Sequence, residues 1–177
     1  MKKNSSQIKS INRSLILLIT FMFVFSLSTA FAQAKKTDYT GTWTLNENKS
    51  QLGEGPGRRA ASKMVITQDD KTLNNEKTST RQSGETITAK EKYNLDGSET
   101  DNSQNDRKKK SIASWSADMK DLTINSTTIF ERDGNSMEIK TTELYKLGSD
   151  GNSLVVETTS SSSFGEFKTS LFYDKAK

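Results

Sequence analysis

The chain has 177 residues, no cysteine, no histidine and a single proline, and about 31% of it is apolar. The two missing residue types exclude disulfides, cysteine-borne lipid, thiolate catalysis, zinc centres of the Cys/His kind and the usual general base at neutral pH. The formal net charge of +4 is a local property, because four of the 26 bases and none of the 22 acids lie in residues 1–32; the remainder is neutral and offers no field for a polyanion.

Residues 1–32 have the order of a secretory leader. Lys2, Lys3, Lys9 and Arg13 come first, an apolar run from Leu15 to Phe25 broken only by Thr20 follows, and Ala30-Phe31-Ala32 ends it. The run gives out at Ser26, Ser28 and Thr29, too early for the roughly 20 apolar residues of a membrane span. Cleavage after Ala32 is expected, which places the rest of the chain in the periplasm or outside the cell with no transmembrane anchor.

The remaining chain reads as strands and turns. No segment carries an apolar stripe at i, i+3, i+4 and i+7, and Thr and Ser are abundant, which favours extended backbone. Alternating runs occur in order at residues 40–46, 62–68, 72–81, 85–95, 109–117, 122–131, 136–147, 153–161 and 164–173. Between them stand Asp69-Asp70-Lys71, Gly84, Asp96-Gly97, Asp133-Gly134-Asn135 and Asp150-Gly151-Asn152, all turn chemistry. Two stretches break the rhythm. Residues 46–62 hold Gly53, Gly55, Pro56 and Gly57 and read as a loop; residues 97–111 have no apolar side chain and run from acids to Arg107-Lys108-Lys109-Lys110, as a mobile loop or a solvated strand start. About nine strands with short connections predict one all-β domain over residues 33–177, an antiparallel up-and-down sheet. Closure into a barrel removes the exposed edges of so long a sheet, and a two-sheet sandwich is the alternative.

Two strands share the phrase Glu-x-Tyr-x-Leu, at Glu91-Lys92-Tyr93-Asn94-Leu95 and Glu143-Leu144-Tyr145-Lys146-Leu147. Side chains alternate across a strand, so Ile87, Ala89, Glu91, Tyr93 and Leu95 share one face, and Met137, Ile139, Thr141, Glu143, Tyr145 and Leu147 share another. If the apolar members face inward, both glutamates do too. One reading is a partly polar cavity in which Glu91, Tyr93, Thr141, Glu143 and Tyr145, helped by Thr158 and Thr169, meet a ligand. The other is that the buried carboxylates are satisfied by Lys or Tyr partners, or lie at a wet mouth, since a buried charge needs a partner or water.

Other motifs carry less. Gly53-Glu54-Gly55-Pro56-Gly57-Arg58-Arg59 lacks the Lys-Ser/Thr and the helix of a phosphate loop. The Arg107–Lys110 cluster follows acids and is not interleaved with aromatics, so nucleic acid is not expected as a partner. No calcium-loop spacing occurs, and neither a metal nor a cofactor is expected. Carboxylate pairs leave a histidine-free glycoside hydrolase as the enzymatic alternative.

Gly41-Thr42-Trp43, in the first strand, resembles the Gly-x-Trp opening of lipocalin and calycin barrels. With Lys49-Ser50, the Gly-Pro-Gly loop and the late Tyr173-Asp174-Lys175, the chain looks like a group of exported bacterial lipocalin-like proteins. The resemblance implies a barrel of about nine or ten strands, with Trp43 plugging the closed end and ligand entering at the other. It also implies a helix, late in the chain or as a lid after the first strand, and the sequence offers neither. Trp43 and Trp115 are expected in the core. Function is then expected to be binding of a small polar or amphipathic molecule, with a cavity-free structural or interaction protein of the cell envelope as the alternative.

Overall fold

The computed structural model of the protein describes residues 35–52, 60–81, 83–104, 107–132 and 134–177, apart from the side chain of Arg132. The leader at 1–32 and Gly53–Arg59 of the glycine-rich stretch lie outside the described residues. Among the described residues ten strands form one sheet: β1 (Gly41–Leu45), β2 (Lys63–Gln68), β3 (Thr72–Thr80), β4 (Thr86–Asn94), β5 (Thr100–Asp101), β6 (Arg107–Trp115), β7 (Leu122–Arg132), β8 (Asn135–Leu147), β9 (Ser153–Ser162) and β10 (Gly165–Lys175). Every pairing is antiparallel, in the order β4-β3-β2-β1-β10-β9-β8-β7-β6-β5. First and last strands meet, with Trp43 opposite Lys175 and Leu45 opposite Tyr173. Nine of the ten coincide with the alternating runs within two residues. The tenth, β5, arises inside residues 97–111, where nothing apolar marks a strand.

Side chains rather than backbone close the barrel between β4 and β5. Thr100, Asn102 and Gln104, spaced by two, point their polar ends at the β4 main chain. Thr100 Oγ1 accepts from Asn94 N (3.1 Å), and Gln104 Nε2 donates to Lys90 O (2.6 Å). The Asn102 amide accepts from Lys92 N (2.8 Å) and donates to Lys92 O (2.9 Å), reproducing the two-way bond of a strand residue. An otherwise open edge is thereby satisfied.

The connections are tight. Gly97 (φ 84°) and Gly151 (φ 68°) occupy left-handed positions that other residues rarely adopt, and so permit the turns after β4 and β8. Among the described residues the only helical element is a 3₁₀ turn, Glu47–Lys49, capped by Asn46, whose side-chain oxygen accepts from Lys49 N. Neither of the helices that barrel relatives would carry is present in the described residues.

Residues 35–40 seal one end. Tyr39 is fully buried there and its single O–H is shared between two carbonyl acceptors, Lys120 O (2.8 Å) and Tyr145 O (2.9 Å). Thr37 N donates to Met119 O, Gln68 Nε2 donates to Thr37 O, and Lys36 Nζ reaches Asp70 O and Leu95 O from beside the Trp115 ring. Three turns are thus tied together by one extended segment. Beneath it Trp43, fully buried, donates its indole N–H to Tyr39 O (3.0 Å), while Trp115 stacks on Tyr39 and is half-buried, packed against the core. Leu73, Tyr93, Leu122, Ile124, Tyr145, Leu154 and Tyr173 complete a packed plug in this half.

Candidate functional site

Alternation along each strand gives the barrel an inner wall, and the character of that wall changes with depth. In the closed half the inward side chains are large, apolar or aromatic, and buried. In the open half β4, β8 and β10 alternate between exposed outward positions and inward positions that are only half-buried: Ile87 and Ala89, Met137 and Ile139, and Phe167, joined by Phe130 on β7. Apolar side chains here face the barrel interior and still meet water, unlike those of the closed half, which are fully packed over.

Between the halves lies a layer of charge. Lys77 (β3), Glu91 (β4), Lys109 (β6) and Glu143 (β8) all point inward, with side chains only 17%, 9%, 14% and 14% exposed. Lys77 Nζ donates to Glu143 Oε1 (2.7 Å) and Oε2 (3.0 Å) and lies 3.1 Å from Glu91 Oε2. Lys109 Nζ donates to Glu91 Oε1, and Tyr93 OH donates to Glu91 Oε2 (2.6 Å). The layer is neutral: two ammonium groups and two carboxylates. Burial works to raise the Glu91 pKa, yet Lys77 and Lys109, with the Tyr93 bond, outweigh it and hold the group below its ordinary value. Burial likewise works to lower Lys77, and the carboxylates of Glu143 and Glu91 overcome it, leaving the pKa well above normal. Tyr93 and Tyr145 are raised chiefly by burial, so their hydroxyls stay protonated.

Hydroxyls form the rest of this belt. Ser111 and Ser126 bond each other at 2.9 Å, and Thr141 and Ser160 at 3.3 Å. Thr158 and Thr169, opposite each other on β9 and β10, are half-buried. Below the belt, Asn75 Nδ2 donates to Tyr145 OH (3.2 Å); among the described residues Asn75 Oδ1 and the Trp115 indole N–H are buried with no partner.

No protein-family model matches the chain, and no curated protein does. Among solved structures, zebrafish ileal bile acid-binding protein complexed with cholic acid matches with a TM-score of 0.50 and 18% identity, over 79% of this chain and 100% of that one. The fold is a calycin-type β-barrel.

In this calycin-type barrel, parity carries Glu91, Tyr93, Thr141, Glu143 and Tyr145 to the inner wall as the shared strand phrase implies, but at different depths. Tyr93 and Tyr145 lie fully buried in the plug. Glu91 and Glu143 sit in the charged layer with their oxygens engaged by Lys77, Lys109 and Tyr93. Thr141, half-buried like the two glutamates, is the one of the five that lies on the open side of the charged layer. Lys77 and Lys109 are the residues sequence reasoning passed over. The Arg107–Lys110 cluster is not one solvated face: Lys108 and Lys110 point out, to Glu131 and to Glu99 and Asp101, whereas Lys109 points in. Spacing held the signal, since Lys109-Ser111-Ala113-Trp115 and Leu73-Asn75-Lys77 each continue an inward series.

A glycosidase acid must keep its proton near neutral pH. Glu91 is shifted the opposite way, and Glu143 grips the ammonium that Glu91 also contacts. Among the described residues no group of three or more acids is placed to hold a metal ion, and no helix is long and apolar enough to cross a membrane.

Proposed function

We propose that this chain is a binding module for a small amphipathic molecule held in the open half of the barrel. The observation that carries the reading is the half-exposed apolar inner wall above a neutral charged floor. Water against Ile87, Phe130, Met137, Ile139 and Phe167 is displaced at a gain by an apolar body, while the floor and hydroxyl belt fix a polar end. The cholic acid in the zebrafish structure supports a small-molecule role. Saturation of the glutamates by lysines does not oppose it, because it makes the floor rigid.

The test is native mass spectrometry of protein purified from its own host, paired with displacement of a fluorescent apolar probe. A co-purifying small molecule is expected, and Ala89→Trp, which fills the space from the β4 wall, is expected to abolish probe binding with unchanged circular dichroism. Absence of any bound compound, with probe binding insensitive to Ala89→Trp, would contradict the proposal and favour a structural role in the envelope.

We also propose that residues 1–32 are a removed export leader and that the working protein is periplasmic or extracellular. The order of bases, apolar run and small residues in 1–32 supports this. An intact mass beginning at Gln33 is the expected result.

A further inference from the structure

The charged layer is a chain in space, running Glu143, Lys77, Glu91, Lys109. Its interior links are saturated. Both Glu143 oxygens accept from Lys77, and Glu91 accepts from Lys109 and Tyr93 and contacts Lys77. The Lys109 end is not saturated: an ammonium carries three donors, and among the described residues only Glu91 accepts from this one. Directly across the strand pair stands Thr128, and two residues further along β6, on the same inward side, Arg107 lies over the Phe130 ring at 5.1 Å.

The sign of the inner wall follows from the same alternation. At the rim Arg81 and Glu85 pair with each other at 2.7 Å. Together with Lys77, Lys109, Glu91 and Glu143 they balance, which leaves Arg107 as the excess charge on the described inner positions of the open half; Lys175, the other inward-side base, lies over the Trp43 ring in the closed half. A second cation entering here would find both buried carboxylates occupied. A single anion would meet spare donors on Lys109 with Arg107 nearby.

Resting on the binding reading above, we propose that the ligand is a monoanionic amphiphile whose carboxylate- or sulfate-type head group binds Lys109, with its apolar part running along Phe130, Ile139 and Phe167 to the mouth. From Lys109 to the end of β7 is about three to four residues, so at roughly 3.3 Å per residue the apolar part is on the order of 10 Å long. The head lies deep and the tail toward solvent.

The experiment is calorimetric titration of the full protein with decanoate, decyl sulfate, decanol and decyltrimethylammonium, each below its aggregation concentration. Both anions are expected to bind about tenfold or more tightly than decanol, the size of a charge-assisted hydrogen bond, and the cation more weakly still. Lys109→Gln is expected to remove the preference for anions over decanol. Arg107→Gln, at an exposed position that tolerates exchange, is expected to weaken the anions less. Decanol binding as tightly as decanoate to the unsubstituted protein would overturn the head-group inference while sparing the binding reading, and needs no variant to fold. Failure of all four to bind would overturn both.

Discussion

Replacing Glu91 by glutamine keeps the shape of the side chain and removes one charge from a layer that has no spare anion. In the native barrel this carboxylate is 9% exposed and holds Lys77 at 3.1 Å, Lys109, and Tyr93 at 2.6 Å. After the exchange Lys77 retains Glu143, but Lys109 faces no carboxylate among the described residues. Leaving one partner of a buried pair uncompensated costs about 3–5 kcal/mol, and for a domain of this size that lowers the melting temperature by about 10 °C or more. Urea and thermal unfolding followed by circular dichroism measure it directly. Glu91→Gln combined with Lys109→Gln restores neutrality and is expected to recover a substantial part of the loss. The pH dependence supplies a second reading. The unfolded chain takes up a proton at the ordinary glutamate value of 4.5, while native Glu91 resists protonation until lower pH. In that interval the unfolded state binds more protons, so stability is full above about pH 5 and falls as acid is added. The single variant should lose that part of the acid limb. A Glu91→Gln protein within about 0.5 kcal/mol of the parent, with the same acid limb, would refute the reasoning.

The alkaline limb carries the opposite sign. Lys77 and Tyr93 keep their protons above the values of 10.5 and 10.0 at which the unfolded chain releases them, so stability is expected to fall as pH rises past about 10 and to fall less steeply in Tyr93→Phe. Tyr39→Phe removes the hydroxyl that ties the plug to Lys120 O and Tyr145 O, and is expected to cost about 1–3 kcal/mol in urea unfolding. Asn102→Ala strips the two-way bond from Lys92; hydrogen exchange at the Lys92 amide is expected to accelerate while amides in β8 and β9 hold, because the seam opens without the rest of the barrel.

Much of the barrel was legible because its strands obey period two and its turns use Gly, Asp and Asn. Thr72–Thr80 and Ser153–Ser162 begin within a residue of where alternation and turn chemistry place them. β5 and the seam were not legible, since Thr100, Asn102 and Gln104 act through polar side chains that imitate a strand edge and leave no apolar periodicity. The inward course of Glu91 and Glu143 followed from their apolar neighbours. Their partners did not, because Lys77 and Lys109 sit among polar residues and a run of four bases reads as a solvated surface until the alternation is applied to each member. The closing role of residues 35–40 was equally hidden, since Tyr39 precedes the first strand and its contacts reach Lys120 and Tyr145, far along the chain.

The central claim is that one half of the interior is packed and the other receives a ligand above the charged layer. Titration of isotopically labelled protein with decanoate, followed through backbone amide shifts, tests it most directly. The account predicts saturable shifts at Ile87, Ala89, Lys109, Phe130, Ile139 and Phe167, with Leu73, Ile124 and Leu154 of the plug unmoved. Shifts confined to outward positions such as Lys108, Lys140 and Glu157, or none at all, would contradict it.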